Sequence, residues 1–430
     1  MNAPMRRGAC PSLSGPMQTG DGLLVRLRPL GGGLSPQQLG RLADAAGRFG
    51  NGILEVTRRG NLQIRGLSAE SAVEFAKAVD AIGIAVTSGI PVETGPLAGL
   101  DATEVADPRP LAQAIREAID EAGLALRLGP KVSVVVDSGG ALPMGDVAAD
   151  VRLVAQRQGR WRLSAGGTAK EAGYAGPVTE AEAVKAVLFL LEAIAAKGLP
   201  ARGRDLSLGD ISGPVERVPS PVGMFGLAEG SLALGVGLPY GQTNAGILHA
   251  FADMAAACGA AKIRFAPGKA LLAIGLSADE FDKLKEAALS LGFVTDPADA
   301  RLFIAACAGS PACRSAFIAT KEVAADIARS ASDLLDGSFI LHLSGCPKGC
   351  ARPAWPALSL VGVAPGRCDL LSGADEDAAI VQTAGGDAAA RVAELALLFH
   401  QQRREGETAR AFLDRLGGSG LAAHLSINRA

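Results

Sequence analysis

The amino-acid sequence contains a long internal repeat, which restricts the fold more than any other feature. Residues 42–68 align without a gap with residues 251–277, and both segments end in Gly-Leu-Ser. The distance between the copies is far larger than the roughly 20–50 residues of a solenoid repeat. The chain is therefore predicted to contain a duplicated domain and not an array of small repeats.

Both copies show the same order of predicted elements: strand, helix, strand, strand, helix. The first helix is predicted to begin at Ser35, because Pro36 and Gln38 follow it at the first helical and capping-box positions. Asn244 is the corresponding N-cap of the second copy, and a turn at Gly60 joins the two later strands. The predicted segments are strands 23–27, 53–57 and 62–65 with helix 69–82, and in the second copy strand 232–238. This order is typical of a ferredoxin-like half-module.

A longer α/β stretch is predicted after each half-module, because each contains helices and an apolar strand, at 132–136 and 339–343. Between the copies lies a segment rich in Gly, Pro and charge, which is typical of a linker. The predicted domains are a half-module at 20–95, an α/β domain without a cluster at 96–200, the linker at 200–220, a half-module at 221–299, an α/β domain with a cluster at 300–395 and a helical tail at 396–430.

Composition excludes several classes of protein. Of the 430 residues, 48% are hydrophobic and 20% are charged, which suits a large core and excludes a disordered chain. Lys and Arg total 42 against 44 Asp and Glu, so no overall basic charge indicates nucleic-acid binding. No apolar run approaches the ~20 residues of a membrane span, and no secretory signal is recognisable, so we expect a cytoplasmic protein. No G-x-G-x-x-G follows a predicted strand, so electrons for redox chemistry must come from an external electron-transfer partner.

Four of the seven cysteines form a cluster in the second copy: Cys307-x5-Cys313 and Cys346-x3-Cys350. Four soft thiolates are the ligand set of a [4Fe–4S] cluster. A zinc site and unrelated thiols are the alternatives, but structural zinc prefers closer Cys pairs than the x5 spacing.

The remaining cysteines give weaker signals. Cys258 is predicted to be a small core residue and Cys368 to be incidental, while a role for Cys10 near the site stays open. In the alignment of the copies, the cluster cysteines fall at or near four residues of other types, Leu97, Thr103, Gly140 and Met144. Only the second copy is therefore predicted to hold a cluster.

A basic strand distinguishes the first copy from the apolar second one. Asn61, Gln63 and Arg65 alternate along the strand with Arg59 just before it, so they would share one face. Such a face could bind a polycarboxylate, and a solvated surface is the alternative. Further candidate substrate-binding cations are Lys131, Lys348 and Arg352, of which Lys348 and Arg352 would otherwise offset the charge of a thiolate-bound cluster.

Taken together, the duplicated half-modules, the cysteine spacing and the segment Thr57–Gly66 resemble the nitrite/sulfite reductase family over residues 20–395. The resemblance implies a mixed α+β and α/β chain with the duplicated nitrite/sulfite reductase fold, two half-modules each followed by an α/β domain, related by a pseudo-two-fold axis. It also implies that the cysteines hold a [4Fe–4S] cluster and that Cys350 would bridge it to a haem-type iron. Arg59, Asn61, Gln63 and Lys131 would line the tetrapyrrole side.

The sequence departs from the reductases of this family at two anion-binding positions. Pro130-Lys131-Val132-Ser133 stands where sulfite reductases have Arg-Lys-x-Lys, and Ile90 stands where they have a second Arg. The segments 7–11, 21–27 and 59–67 are similar instead to the branch of the family that acts in aerobic cobalamin synthesis. In that branch the tetrapyrrole is the substrate.

Similarity to this branch implies an O2-dependent monooxygenase that hydroxylates precorrin-3A and closes a lactone. The implied cofactors are the [4Fe–4S] cluster and a mononuclear non-haem iron, with NADH as the indirect source of electrons. Two alternatives remain at this point: a sirohaem-dependent sulfite or nitrite reductase, and a non-enzymatic iron–sulfur protein that binds a tetrapyrrole. No residue is assigned as catalytic or as a ligand of the mononuclear iron.

Overall fold

The computed structural model describes residues 11–209, 218–353, 356–373 and 379–427. Cys10 lies outside the described residues. The chain divides into two compact units, one formed by residues up to 18 and 23–295 and the other by residues 19–22 and 296–430.

Apart from residues 19–22, the two half-modules belong to the first unit, and they contain the same elements in the same order. In the first half-module these are β1 (Met17–Thr19), β2 (Gly22–Leu27), β3 (Gly33–Leu34), α1 (Pro36–Phe49), β4 (Ile53–Val56), β5 (Leu62–Leu67) and α2 (Ala69–Ile82). The first α/β region follows with β6 (Val92–Thr94), α3 (Arg109–Glu121), β7 (Val134–Asp137), β8 (Val151–Gln156), β9 (Arg160–Ala165), β10 (Gly173–Thr179) and α4 (Glu180–Ala196). The second half-module comprises β11 (Gly223–Gly226), β12 (Leu232–Gly237), β13 (Gln242–Asn244), α5 (Ala245–Ala257), β14 (Lys262–Ala266), β15 (Ala270–Leu276) and α6 (Ala278–Ser290).

The helix caps that the sequence predicted are present. The Ser35 side chain accepts from the backbone of Gln38 while the Gln38 side chain accepts from the backbone of Ser35, which forms a capping box. Asn244 accepts from Ile247 at the start of α5. Each such cap contributes about 1 kcal/mol to the stability of its helix. The predicted bounds 69–82 of α2 agree with the structure.

The half-modules exchange short strands. The sheet of the first has the order β1-β2-β5-β4-β13, so its last strand comes from the second half-module, and the sheet of the second ends correspondingly in β3. Helices α1 and α5 pack closely, because a Cβ at Gly40 would lie 3.8 Å from the Cβ of Ala252. One hydrophobic core contains residues of both half-modules, among them Cys258, which is buried as predicted. The duplication therefore produces one body with two sheets.

The first α/β region has a separate core behind a five-stranded sheet of order β10-β9-β8-β7-β6. Strands β6, β7 and β8 are parallel, and β9 and β10 are antiparallel. The described beginning of the predicted linker packs on this region, since Arg202 forms a salt bridge with Asp150 and Gly209 pairs with Tyr174.

The second unit repeats this sheet. Its elements are β16 (Ile304–Ala306), α7 (Thr320–Ser330), β17 (Leu341–Ser344), β18 (Leu358–Ala364), β19 (Arg367–Ser372), β20 (Ala379–Ala384), α8 (Ala388–Gln402) and α9 (Ala409–Ile427). The order is β16-β17-β18-β19-β20, with the first three strands parallel and the last two antiparallel. The predicted helical tail consists of α9 and the end of α8, which pack through Phe399 and Phe412. Cys368 is a fully buried residue of β19.

Candidate functional site

Two loops carry the four clustered cysteines, and both leave the same edge of the sheet in the second unit. Cys307 follows β16 directly, and Cys346 lies two residues beyond the end of β17. These strands are parallel neighbours, and parallel neighbours end at the same edge of a sheet. We call residues 307–319 the first cysteine loop and residues 345–351 the second cysteine loop.

Hydrogen bonds join the two cysteine loops. The backbone N–H of Gly345 donates to Sγ of Cys307 at 3.1 Å, and that of Phe317 donates to the Gly345 carbonyl at 2.6 Å. The Nζ of Lys348 donates to Oγ of Ser315 at 2.8 Å. These hydrogen bonds hold the two cysteine loops together, and Sγ of Cys307 is one of their acceptors.

The four thiols lie near one another. Burial raises the pKa of the Cys350 thiol, and the charges of Cys307, Cys346 and Cys313 raise it further, while Lys348 opposes them. Like charges shift a pKa in this way only when they are close together. Cys346 is buried and Cys350 is exposed, so the thiols extend from the interior of the unit to its surface.

This donor set fits a [4Fe–4S] cluster. Four thiolates are the usual ligands of such a cluster. Among the residues that the structure describes, no three His, Cys, Asp or Glu side chains are placed to share one metal ion. A tetrahedral ion with metal–sulfur bonds of about 2.3 Å would hold its sulfurs about 3.8 Å apart. In a [4Fe–4S] cluster each thiolate binds its own iron, so the ligand sulfurs stand farther apart than they do around one ion.

Backbone segments approach the first cysteine loop closely. A Cβ at Gly20, in the turn formed by residues 19–22, would lie 2.7 Å from the Cα of Cys313. Gly309 has a φ of +67°, and a Cβ there would lie 2.7 Å from the backbone nitrogen of Thr320. The Thr320 hydroxyl in turn donates to the Cys307 carbonyl at 2.8 Å. The positions of the thiols are thus determined by contacts that leave no room for side chains.

A buried histidine precedes the second cysteine loop. His342 lies in β17 with its Nδ1 3.2 Å from Oγ of Ser359, and its Nε2 has no hydrogen-bond partner among the described residues. Burial, and secondarily the charge of Arg352, lower the pKa of His342 to about 4. His342 is therefore a core residue of the second unit, and only one of its two ring nitrogens has a partner in the described part of the chain.

The basic strand of the first half-module has a polar face that is balanced in charge. Gln63 lies in register between Arg26 on β2 and Glu55 on β4. The Nη1 of Arg65 lies 3.3 Å from Oε2 of Glu55, and the Arg65 side chain is only 7% exposed. Asn61, at the end of the hairpin turn, is buried as well. Arg65 therefore supports the strand through Glu55, and its predicted role in binding a substrate stays a prediction.

Arg59 is held by three segments of the first α/β region. Its guanidinium forms a salt bridge with Glu93 in β6, donates to the carbonyl of Ala148, and lies 3.2 Å from Oγ of Ser133. Lys131, two residues before Ser133, is exposed. The structure thus brings Arg59 to the segment that carries Lys131, with the charge of Arg59 compensated by a carboxylate.

The first α/β region has a carboxylate at the position that corresponds to one of the cysteines. The backbone N–H of Glu104 donates to the carbonyl of Asp101, as that of Ala316 donates to the carbonyl of Cys313. Asp101 therefore corresponds to Cys313, whereas the sequence predicted Thr103 as the counterpart. The correction arises because the loops differ in length before this point, which an ungapped alignment cannot detect.

The ends of the strands show which residues of the first region correspond to Cys307 and Cys346. Gly95 follows β6 as Cys307 follows β16, and Gly139 lies two residues beyond β7 as Cys346 does beyond β17. The positions predicted from the sequence were displaced by one or two residues for the same reason: Leu97 and Gly140 were taken in place of Gly95 and Gly139. The first region nevertheless has no cysteine at these positions.

Asp101 links the two loops of the first α/β region. It is only 7% exposed. Its Oδ1 accepts from the backbone N–H of Thr103 at 2.8 Å, and its Oδ2 accepts from that of Ala141 in the loop after β7. A buried carboxylate that accepts several backbone N–H groups is strongly held. Hydrogen bonds to Asp101 therefore connect the loops after β6 and β7 in the first region. Their counterparts in the second unit are the two loops that carry the thiols.

Sequence reasoning missed three carboxylates of these sites. Glu55 had a signal, because it alternates in the predicted strand 53–57 and lies opposite Gln63 once the hairpin register is drawn. Glu93 and Asp101 had none, since their partners lie far along the chain or in an irregular loop.

In the described parts of the chain, none of the helices combines the length and the apolar character that crossing a bilayer requires.

Comparisons with known proteins agree with this architecture. Residues 15–82 match the family described as nitrite/sulfite reductase ferredoxin-like half domain. The ferredoxin–nitrite reductase of Synechococcus elongatus is 25% identical, over 79% of this chain and 76% of that protein. The solved structure of the NirA protein of Mycobacterium tuberculosis superimposes with a TM-score of 0.71 at 21% identity and covers 93% of this chain and 84% of that one. The predicted duplicated nitrite/sulfite reductase fold is confirmed.

A nearer relative covers almost the whole chain. The precorrin-3B synthase of Sinorhizobium sp is 42% identical, over 98% of this chain and 95% of that protein. This identity of 42% is higher than the 25% shared with the nitrite reductase. The aligned part of the chain contains both half-modules and both α/β regions. The chain belongs to the precorrin-3B synthase family.

Proposed function

We propose that the protein is the O2-dependent monooxygenase that converts precorrin-3A to its hydroxylated lactone in aerobic cobalamin synthesis. The observation that carries this proposal is the 42% identity to a precorrin-3B synthase over 98% of the chain. In the overall balance, O2, two electrons and two protons give one hydroxyl oxygen in the product and one water. NADH would be the ultimate reductant and would act through a separate electron-transfer protein.

We propose that Cys307, Cys313, Cys346 and Cys350 hold a [4Fe–4S] cluster, which would supply single electrons when bound. The chain's own contribution is to fix the thiols. The Gly345 N–H holds Sγ of Cys307.

The substrate carries acetate and propionate groups, so cations should bind it. We propose Arg59 and Lys131 for this role in the first unit, and Lys348 and Arg352 in the second. Gln63 and Asn61 would orient the macrocycle by hydrogen bonds, and Arg65 would act indirectly by holding Glu55. Replacement of Arg59 by Gln should raise the KM for precorrin-3A and leave the iron content unchanged. An unchanged KM would remove Arg59 from the substrate-binding set.

Incubation of the purified protein with precorrin-3A, a reductant and 18O2, followed by mass spectrometry, tests the reaction. We expect one 18O atom in the product, and none when the label is supplied as H2 18O. A turnover product without label from 18O2 would exclude the monooxygenase. The Cys346→Ser variant is the matched control, because it should bind precorrin-3A without converting it.

Two other functions predict different results in the same experiment. A sirohaem-dependent sulfite or nitrite reductase would show a sirohaem spectrum and consume sulfite or nitrite without O2. The relatives with these activities are 25–26% identical to the chain. A non-enzymatic tetrapyrrole-binding protein would bind precorrin-3A and return it unchanged.

A further inference from the structure

Glu93 is a carboxylate that lies beside cationic side chains of the first unit. It forms a salt bridge with Arg59 through Nη2, and Nε of Arg59 lies 3.4 Å from its second oxygen. The exposed fractions of the two side chains are 32% for Arg59 and 15% for Glu93. A bidentate pair that is this far removed from water is stronger and better oriented than a pair on the surface.

Arg59 uses most of the N–H groups of its guanidinium in further contacts within the protein. Nη1 donates to the Ala148 carbonyl, and Nη2 also lies 3.2 Å from Oγ of Ser133. With one contact at Nε, one at Nη1 and two at Nη2, four of the five N–H groups of the guanidinium are engaged. Arg59 is therefore fixed in orientation, and within the described part of the chain one of its N–H groups is left for a ligand.

A second arginine lies close to the same carboxylate. Arg152 is only 1% exposed and donates to the carbonyls of Met144 and Val147. Burial lowers the pKa of Arg152 to about 10; the charges of Asp137, Asp146 and Glu93 oppose this effect, whereas that of Arg59 adds to it. Glu93 is thus one of three carboxylates that offset the charge of Arg152, and it also pairs with Arg59, which reaches the surface.

We propose that Glu93 is a specificity-determining residue that keeps small inorganic oxyanions off Arg59 and leaves one oriented N–H for a carboxylate of a larger substrate. A small oxyanion brings too few contacts to replace the carboxylate of Glu93, whose charge it would also face. A polycarboxylate held at several points needs only the remaining N–H. The substrate part of this proposal rests on the proposed function, and the oxyanion part does not.

The oxyanion part is tested by calorimetric titration of the full-length, iron-loaded protein with inorganic sulfate at low ionic strength. Glu93→Gln keeps the shape and removes the charge, so we expect it to bind sulfate at least about tenfold more tightly than the unmodified protein. The double variant Arg59→Gln/Glu93→Gln should lose this gain. Glu74→Gln is the matched control, because Glu74 pairs with Lys77 on an exposed helix face.

Sulfate binding by Glu93→Gln no tighter than that of the unmodified protein would overturn the proposal. A gain that persists in the double variant would overturn it as well, since the anion would then not be bound by Arg59. Glu93→Asp keeps the charge and should show no gain, so it decides the question if Glu93→Gln does not fold.

The substrate part is tested by steady-state kinetics with precorrin-3A. Glu93→Gln should raise KM about tenfold with kcat within about twofold, because the bound macrocycle still reaches the same reactive position. A fall in kcat with an unchanged KM would contradict the positioning role. If the unmodified protein does not convert precorrin-3A, the proposed function fails, and the sulfate titration still decides the role of Glu93.

Discussion

The two α/β regions have the same sheet, but different chemical groups connect the loops at its edge. In the first region Asp101 accepts hydrogen bonds from the loop after β7. In the second, the two loops carry four thiols, and the N–H of Gly345 in one loop donates to Sγ of Cys307 in the other. The backbone hydrogen bonds at Asp101 and Cys313 are common to both. The fold therefore does not require a cluster at this edge, and one copy can bind a cofactor while the other keeps the shape.

The largest effect is expected from removing a thiol. The Cys346→Ser variant should lose its iron and the visible absorbance of a cluster completely, because a hydroxyl is a poor replacement for a soft thiolate. Iron analysis and absorption spectra measure this. Cys258→Ala is the matched control, because Cys258 is a buried thiol of the half-module core. Retention of full iron by Cys346→Ser would mean that the cysteines do not form one site.

The corresponding change in the first region should affect stability and not iron. Asp101→Ala leaves the buried N–H groups of Thr103 and Ala141 without their acceptor. The expected loss is about 2–4 kcal/mol in the free energy of unfolding. Denaturant unfolding of the iron-loaded protein checks this, with the exposed Asp282→Ala as control. If Asp101→Ala also lost iron, the loops of the two regions would not be independent.

The same comparison explains how much the sequence could predict. Local signals determined the helix start at Ser35, the helix 69–82 and the spacing of the four cysteines, because capping, periodicity and ligand number act over short stretches of chain. The alternation of Gln63 and Arg65 predicted their shared face. The exchange of β3 and β13 between the sheets could not be predicted, since it depends on how two distant copies pack.

The partners of the charged residues could not be predicted from the sequence either. The pairing of Arg59 with Glu93 joins positions in different regions of the fold. The correspondence of Asp101 with Cys313 is hidden by a change in loop length. The sequence therefore shows which charged residues the chain contains, and the structure shows which of those charges are balanced by an opposite charge, as that of Arg59 is by Glu93.

Acid should weaken the second region selectively. The pKa of His342 is lowered to about 4 in the folded protein, so between pH 6.5 and 4 the unfolded chain binds a proton that the folded chain does not. Stability from this group is present above pH 6.5 and is lost as the pH falls, by at most about 3 kcal/mol. The first α/β region contains no histidine, so it should lack this response.

Chemical unfolding of the unmodified protein and of His342→Gln at pH 7 and pH 5 measures the effect. The difference between the two proteins isolates His342 from the other acid-sensitive groups, including the cluster. His342→Gln should lose less stability on acidification than the unmodified protein does. Equal losses in both proteins would show that His342 is not held neutral.

The smallest effect is expected from the hydrogen bond between Lys348 and Ser315, which joins the two cysteine loops. In the first region Asp101 joins the corresponding loops. Ser315→Ala removes the acceptor of the Lys348 side chain, 2.8 Å away. An exposed hydrogen bond of this kind contributes about 1 kcal/mol, so loss of iron to a chelator should become a few times faster. Lys348→Met should have a similar effect, and the double variant should be no worse than either single one. Additive effects would instead assign Lys348 a separate role in offsetting the charge of the thiolates, because its charge would then act without Ser315.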